Sequence, residues 1–235
     1  MGGRHLFPRL RWLGLAWLVV YLPSYAAAYG FTNFLFLCNL GVMLTAAALL
    51  WESRLVLSSQ AVAAPVIGLA WAADAGWRVV TGTHLFGGTE YMWDPQYPIF
   101  TRLLSLYHLA WPVLVVVLVR RVGYDRRGWA LQTGIAAGVV ILCRLFTPPA
   151  ENINFAFVDP IFGRAFSPAA LHIGIVLGAL AGVAYGLTHL VLRTTGRQAR
   201  GARSADPLDP LDPLGAPGAP GAPDDRELLD RATAG

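Results

Sequence analysis

Long apolar runs alternate along the chain with short polar breaks, and the runs define the elements. Six segments are apolar over roughly the 17 to 25 residues that a helix needs to cross about 30 Å of hydrocarbon. They cover about 10 to 28, 31 to 51, 55 to 77, 102 to 119, 129 to 146 and 169 to 192. Runs such as WPVLVVVLV, 111–119, lack the two-residue alternation of a membrane β-strand. Hydrocarbon offers no hydrogen-bonding partner to a backbone amide, so each segment is predicted to be helical. The pattern therefore predicts an all-α, polytopic integral membrane bundle of six transmembrane helices over residues 1–203. The remainder, 204–235, contains DPLDPLDPLGAPGAPGAPDD. It has too little apolar surface to offset the entropy of ordering, which predicts a disordered Pro/Gly/Asp-rich cytoplasmic tail.

Charge orients the bundle. With the N-terminus in the cytoplasm, that side receives Arg4, Arg9, Arg11, Arg54, Arg120, Arg121, Arg126, Arg127, Arg193, Arg197, Arg200 and Arg203. The other side receives only Arg78, Arg102, Arg144 and Arg164. Basic residues accumulate on the cytoplasmic side of membrane proteins, so both termini are expected there. One alternative touches the first span: RLRWLGLAWLVVYLPSYAAA also has the basic, apolar and small-residue regions of a cleavable signal peptide. Cleavage would leave five spans in the same orientation.

Composition agrees with the pattern. Hydrophobic residues make up 55% of the chain, charged residues 14%, and the mean hydropathy is +0.50, outside the range of soluble domains. All the basic residues are Arg and none is Lys, and Ala, Gly and Pro abound, which points to a high-GC bacterium and its inner membrane. The Arg residues fall at span ends, so they set topology and imply no nucleic-acid partner. Cys38 and Cys143 lie inside apolar runs, which argues against a disulfide scaffold. No cofactor motif is present. His84, His108 and His172, with Asp74, Glu90 or Asp94, are what a zinc site would draw on, but no HxxxH or HExxH spacing joins them and no metal is expected.

The polar residues at membrane depth gather on the side away from the Arg-rich turns. Cys38 lies about 10 Å below the outer end of the second segment, and His108 about 9 Å below the outer end of the fourth, at a rise of about 1.5 Å per residue. Asn33, Asn39, Asp74, Arg144 and His172 stand near the same level. The long loops 78–101 and 147–168 emerge there too, carrying His84, Glu90, Asp94, Glu151, Asn152, Asn154 and Asp159. Ionisable groups in a membrane are costly and normally face a wet cavity or one another, so this asymmetry predicts a polar cavity in the outer half of the bilayer. On the fourth segment Thr101, Ser105, His108 and Pro112 fall on one face, and a hydroxyl one turn before a histidine can hold it in one tautomer. TPPAENINFAF, 147–157, reads either as a re-entrant capping loop or as an interfacial loop with aromatic residues at headgroup level.

Cys38 beside His108 can act as a nucleophile with its base; the alternative is a small buried apolar residue. Asn152 or Asn154 would then donate to a developing oxyanion. Asn33, Asn39, Asp74, Ser105, Arg144, Glu151 and His172 are the further candidates for binding substrate. Gly174, Gly178 and Gly182 repeat every four residues, which serves internal packing or a homo-oligomer face.

Taken in order, FLFLCN, LLSLYH and NINF resemble the features of YwaF-like six-span membrane proteins, whose animal relatives are cysteine-dependent phospholipid acyltransferases. The resemblance implies a Cys38 acyl-enzyme assisted by His108, a membrane lipid as partner, and the ENINF loop near the headgroup. The expected function is that of a lipid acyltransferase or acyl hydrolase. The alternatives are a binding or transport module for a small polar ligand or lipid headgroup, and a scaffold whose polar groups only pair with one another.

Overall fold

The computed structural model describes the backbone of residues 7–204 and the side chains up to residue 195. The expected disordered tail lies outside the described residues, apart from Ser204. The chain divides into a unit ending at Arg193 and a second starting at Thr194.

The elements, in order, are α1 (Leu10–Tyr29), a 3₁₀ turn (Phe31–Leu35), α2 (Leu37–Leu50), α3 (Arg54–Thr81), α4 (Ile99–Leu104), α5 (Tyr107–Val122), α6 (Gly128–Phe146) and α7 (Ala169–Gly178). A π-helical stretch, Ala179–Tyr185, then leads into α8 (Gly186–Ser204). Short 3₁₀ turns at Glu90–Met92, Pro149–Glu151 and Ile153–Phe155 punctuate the loops. No strand occurs among the described residues.

Five helical stretches are long and apolar enough to cross a membrane: Leu10–Tyr29, Arg54–Thr81, Ile99–Val122, Gly128–Phe146 and Ala169–Thr195. Their outward faces carry large apolar residues that water would not tolerate together, such as Val80 at 83% exposure and Phe146 at 76%. The second predicted segment, 31 to 51, is not one continuous helix. It breaks at Phe36, whose backbone is extended (φ −60°, ψ 132°), and only the 14 residues of α2 follow. The cause is distant in sequence: Asn154 accepts from the Leu37 amide at 2.9 Å and donates to the Leu35 carbonyl at 2.7 Å. A side chain from another segment thus caps α2, a contact typically worth about 1 kcal/mol, and holds the preceding turn.

α3 is the central helix, packed against α2, α5 and α6. Ser53 caps its start by accepting from the Val56 amide at 3.3 Å, and Gly82 ends it in the left-handed region at φ 80°. The crossing with α5 is close because of two residues. Pro112 has no N–H to offer the His108 carbonyl, and that oxygen faces Gly68, where an added Cβ would stand 2.5 Å from it. Trp111 lies against Gly41 of α2 in a similar way and donates to Thr45 Oγ1 at 2.9 Å. Gly174, Gly178 and Gly182, in contrast, have open space where a Cβ would be, so they do not mediate packing within the chain.

Candidate functional site

A cavity of about 1030 Å³ opens at the end of the bundle away from the Arg-rich turns. It is at the upper end of the size range of ligand pockets. One wall comes from the C-terminal turns of α1, the 31–35 turn and the start of α2. The second comes from α3 and α5 with Trp71 and His108, and the third from α7 and the π-helical stretch. The lining is predominantly apolar and aromatic, with few polar groups.

Cys38, half-buried, sits in the first turn of α2 on this lining. Its sulfur lies 3.7 Å from Asn39 Oδ1. That same oxygen accepts from Tyr21 at 2.7 Å and from Tyr107 at 2.8 Å, while Asn39 Nδ2 donates to the Asn33 carbonyl at 2.6 Å. Asn39 therefore ties α1, α5 and the 31–35 turn to the cysteine-bearing turn. Both of its amide atoms are engaged, so it positions the wall and is not free to bind a ligand.

His108 is buried and sandwiched: its ring stacks on Trp71 at 5.0 Å with 2° between planes, and on Tyr107 at 4.1 Å. Its Nδ1 lies 2.8 Å from the Ser105 carbonyl. A carbonyl can only accept, so Nδ1 carries the proton and Nε2 keeps its lone pair, as a base requires. The tautomer is thus set by the Ser105 backbone, while the Ser105 hydroxyl bonds Tyr25 at 2.5 Å. This bond is available because the helix is interrupted after Leu104, and the chain restarts at Tyr107 with the Ser105 carbonyl turned toward the ring. No hydrogen bond joins Cys38 to His108 among the described residues. They share the cavity wall through Tyr107, whose ring stacks on one and whose hydroxyl bonds Asn39 beside the other.

Several of the predicted site residues hold the architecture. Asp74 is buried and accepts from the Phe86 amide at 2.7 Å, the Thr89 amide at 2.9 Å and the Thr89 hydroxyl at 2.5 Å, with His84 Nδ1 at 3.3 Å. It anchors the loop that follows α3. Asn152 accepts from the amides of Phe157 and Val158, both at 3.0 Å, and donates to the Val158 carbonyl at 2.8 Å. Asn154 is spent on the Phe36 break. The two amides proposed as oxyanion donors are therefore committed to backbone. This is their reason for being there: Asn152, Asn154 and Phe155 have φ of 39°, 53° and 61°, and a turn so strained needs side chains to fix it.

His172 lies 2.9 Å from the Phe155 carbonyl through Nε2 and accepts from the Phe166 amide through Nδ1 at 3.4 Å, stapling the same loop. Arg144 donates to the Ala156 carbonyl at 3.3 Å and lies over the Phe157 ring at 4.5 Å. Glu151 is exposed at the cavity rim. Asp159, also on the rim, accepts from the amides of Phe162 at 2.7 Å, Ile161 at 3.0 Å and Arg164 at 3.0 Å, and the Phe162 amide above all holds its carboxyl below the usual range. No cluster of three His, Cys, Asp or Glu fit for a metal occurs among the described residues.

Sequence reasoning missed the aromatic residues. Tyr21, Tyr25 and Tyr29 recur every four residues on one face of α1, and Tyr21 and Tyr25 are the buried residues of that helix. Tyr29 packs against Tyr91 and Tyr97, and Tyr91 accepts from Trp71 at 2.9 Å. The four-residue spacing in an otherwise lipid-facing helix was the signal. Among the described residues, three polar atoms on the lining remain without a partner, although buried from solvent: the Tyr29 hydroxyl, Asn33 Nδ2 and, on the π-helical stretch, the Tyr185 hydroxyl. No known protein family, curated protein or solved structure matches the chain.

Proposed function

We propose that the protein is a multi-pass membrane enzyme that takes the acyl chain of a lipid ester into this cavity and transfers the acyl group through Cys38. The observation that supports it is that Cys38 and His108, with a free Nε2, line the same apolar cavity. His108 Nε2 takes the thiol proton as the sulfur attacks the ester carbonyl. The ester C–O bond breaks, the departing alkoxide takes that proton, and a Cys38 thioester remains. A hydroxyl of a second lipid, or water, then attacks the thioester while His108 takes its proton. The thiolate leaves and recovers the proton from His108. The likeness of FLFLCN, LLSLYH and NINF to the YwaF-like proteins points the same way. The Arg bias supports a cavity in the outer leaflet with both termini in the cytoplasm, and the Arg-only, Ala-, Gly- and Pro-rich composition supports a bacterial inner membrane.

A second reading, a cavity that holds a lipid without reacting, is favoured by one feature: Asn152 and Asn154 are committed to backbone and Cys38 makes no bond to His108. Intact-protein mass spectrometry separates the two. After incubation of the detergent-solubilised protein with a phospholipid, acyl transfer adds one acyl mass that hydroxylamine removes and that Cys38→Ala abolishes. A lipid that co-purifies with no covalent adduct establishes the second reading.

A further inference from the structure

A lipid already dissolved in a bilayer gains little by moving its chain into an apolar protein cavity, because lipid tails are as apolar as the lining. The contacts that fix which group of the lipid sits where must therefore be polar, and few polar atoms on this lining are unengaged. Asn39, Asn154, Asp74 and Asp159 are satisfied by partners within the chain. The Tyr29 hydroxyl, Asn33 Nδ2 and the Tyr185 hydroxyl are not, and all three are shielded from solvent; Tyr29 and Asn33 belong to the wall that carries Cys38, and Tyr185 to the π-helical wall. A buried donor with no acceptor is costly, so two on the wall that carries Cys38 call for an acceptor supplied from outside the chain.

Their placement is built by the backbone. α1 ends at Tyr29, Gly30 turns the chain at φ 78°, and the 31–35 turn then presents Asn33. The Asn33 carbonyl is clamped by Asn39 Nδ2 at 2.6 Å and by the Phe36 amide at 3.2 Å, so its backbone is fixed while its side chain is left unbonded. That clamp comes from the residue next to Cys38. The charge around the donors narrows the acceptor. Asp74, Asp159 and Glu151 line the cavity and no Arg does, so a phosphate there would meet three carboxylates; Arg102, which acts on Tyr29 electrostatically, lies off the lining and donates to the Met92 carbonyl at 3.0 Å.

We infer that Tyr29 and Asn33 bind the uncharged carbonyl oxygen of the acyl group, with Asn33 Nδ2 the donor to the oxyanion when Cys38 attacks. The second half of this inference rests on the acyl-transfer reading; the recognition of a carbonyl does not. Asn33 takes the place that sequence reasoning gave to Asn152 and Asn154.

Two measurements on the full chain in detergent test it. In the first, binding of N-methyldodecanamide, which offers a carbonyl but no leaving group, is compared with binding of dodecyl phosphate. The amide should bind and the phosphate should not, and Asn33→Ala and Tyr29→Phe should each weaken amide binding about tenfold. In the second, p-nitrophenyl laurate is mixed with the protein and the burst of nitrophenolate is timed. Asn33→Ala should slow the burst about 10²-fold, as removal of an oxyanion donor does elsewhere. Alkylation of Cys38 by iodoacetamide, which builds up no oxyanion, should keep its wild-type rate. A burst in wild type that Asn33→Ala leaves within threefold overturns the oxyanion role and spares the acyl-transfer reading. Loss of alkylation in parallel shows a packing role and overturns it too. Amide binding that depends on Asn33 with no burst in wild type sinks acyl transfer and keeps the carbonyl site. Amide binding indifferent to both substitutions, or weaker than phosphate binding, overturns the inference.

Discussion

The two ends of the bundle handle buried polarity in opposite ways. At the Arg-rich end, Gln60 Nε2 donates to Ser59 Oγ at 3.0 Å and to Gln132 Oε1 at 3.3 Å, and Ser59 donates to the Val56 carbonyl at 2.8 Å. Ser58 accepts from the Asp125 amide at 2.9 Å, and Arg54 reaches the carbonyls of Gly123 and Tyr124 at 2.8 and 3.1 Å. Helix backbones come so close here that a Cβ on Gly128 would stand 2.8 Å from Ser58. At the other end the helices are broken at Phe36 and after Leu104, the wall is aromatic, and the Tyr29 hydroxyl and Asn33 Nδ2 are left over on a cavity lining, whereas the unpaired Arg11 Nε and Thr133 Oγ1 of the Arg-rich end are not on that lining. Mutually satisfied polar groups specify how helices pack. Polar groups left over beside a cavity specify something that enters it. A count of polar residues cannot separate the two cases, because Ser58, Ser59, Gln60 and Gln132 are as deeply buried as anything near Cys38; what differs is whether an unpaired group stands on a cavity lining.

The largest effect expected from this contrast comes at the seam between the two ends. Gly68→Ala puts a Cβ 2.4 Å from Pro112 Cγ and 2.5 Å from the His108 carbonyl, and a backbone oxygen cannot swing aside. Overpacking of this kind costs about 1–3 kcal/mol, so the melting temperature in detergent should fall and the His108 side of the cavity should move with it. Gly178→Ala meets open space and exchanges a poor helix former for a good one, so it should be neutral or stabilising by up to about 1 kcal/mol. Destabilisation of Gly178→Ala that depends on protein concentration would instead mark that glycine face as an interface between copies.

Next in size is the glutamine pair. Gln60→Leu strands the Gln132 carbonyl oxygen in the interior, which costs about 1–3 kcal/mol, and Gln132→Leu should cost a similar amount. With both replaced no polar atom of the pair is left unsatisfied, so the double variant should recover most of the loss. A thermodynamic cycle on thermal unfolding reads the coupling. The nitrophenyl-ester burst should be unaffected in all three variants; a burst lost with the glutamines would place them in the site and dissolve the contrast.

Much of this was legible in the chain. Five helices follow the apolar runs, because crossing hydrocarbon leaves the backbone one choice and composition records it. Cys38 and His108 were brought to one cavity by depth counting alone. The break at Phe36 was not legible: FTNFLFLCNL contains no proline and no internal glycine, and the interruption is imposed by Asn154, 117 residues away from Leu37. The roles of Asn152, Asn154 and His172 were inverted for the same reason. A side chain that could touch a substrate could equally well satisfy a strained backbone turn, and only the fold decides which. The tyrosine stripe of α1 was written in plain four-residue spacing, but hydropathy alone treats a tyrosine in a span as merely apolar.

The smallest expected effect separates the two ends by pH. Asp159 at the cavity rim has its carboxyl held low by the amides of the 161–164 turn, the Phe162 amide first. A group with a depressed folded pKa stabilises the folded form above its unfolded value, about 3.9, and loses that contribution as pH falls through the lower folded value. Ile161 and Phe162 line the cavity, so acid should loosen the lip they form and release an apolar fluorophore from the cavity. Asp159→Asn, which cannot ionise, should release the fluorophore at every pH. Tyr124, in the turn at the Arg-rich end, lies 2.5 Å from His189 Nδ1, and burial pushes its hydroxyl up to about 12. Here the sign is reversed: a raised folded pKa stabilises below the unfolded value of about 10 and is lost as pH climbs through about 12. Phenolate absorbance should therefore report that end loosening only in alkali, and Tyr124→Phe should remove the transition. If the cavity probe and the phenolate signal respond together at one pH, the bundle behaves as a single unit, and the separation between a packed end and an open end is only geometric.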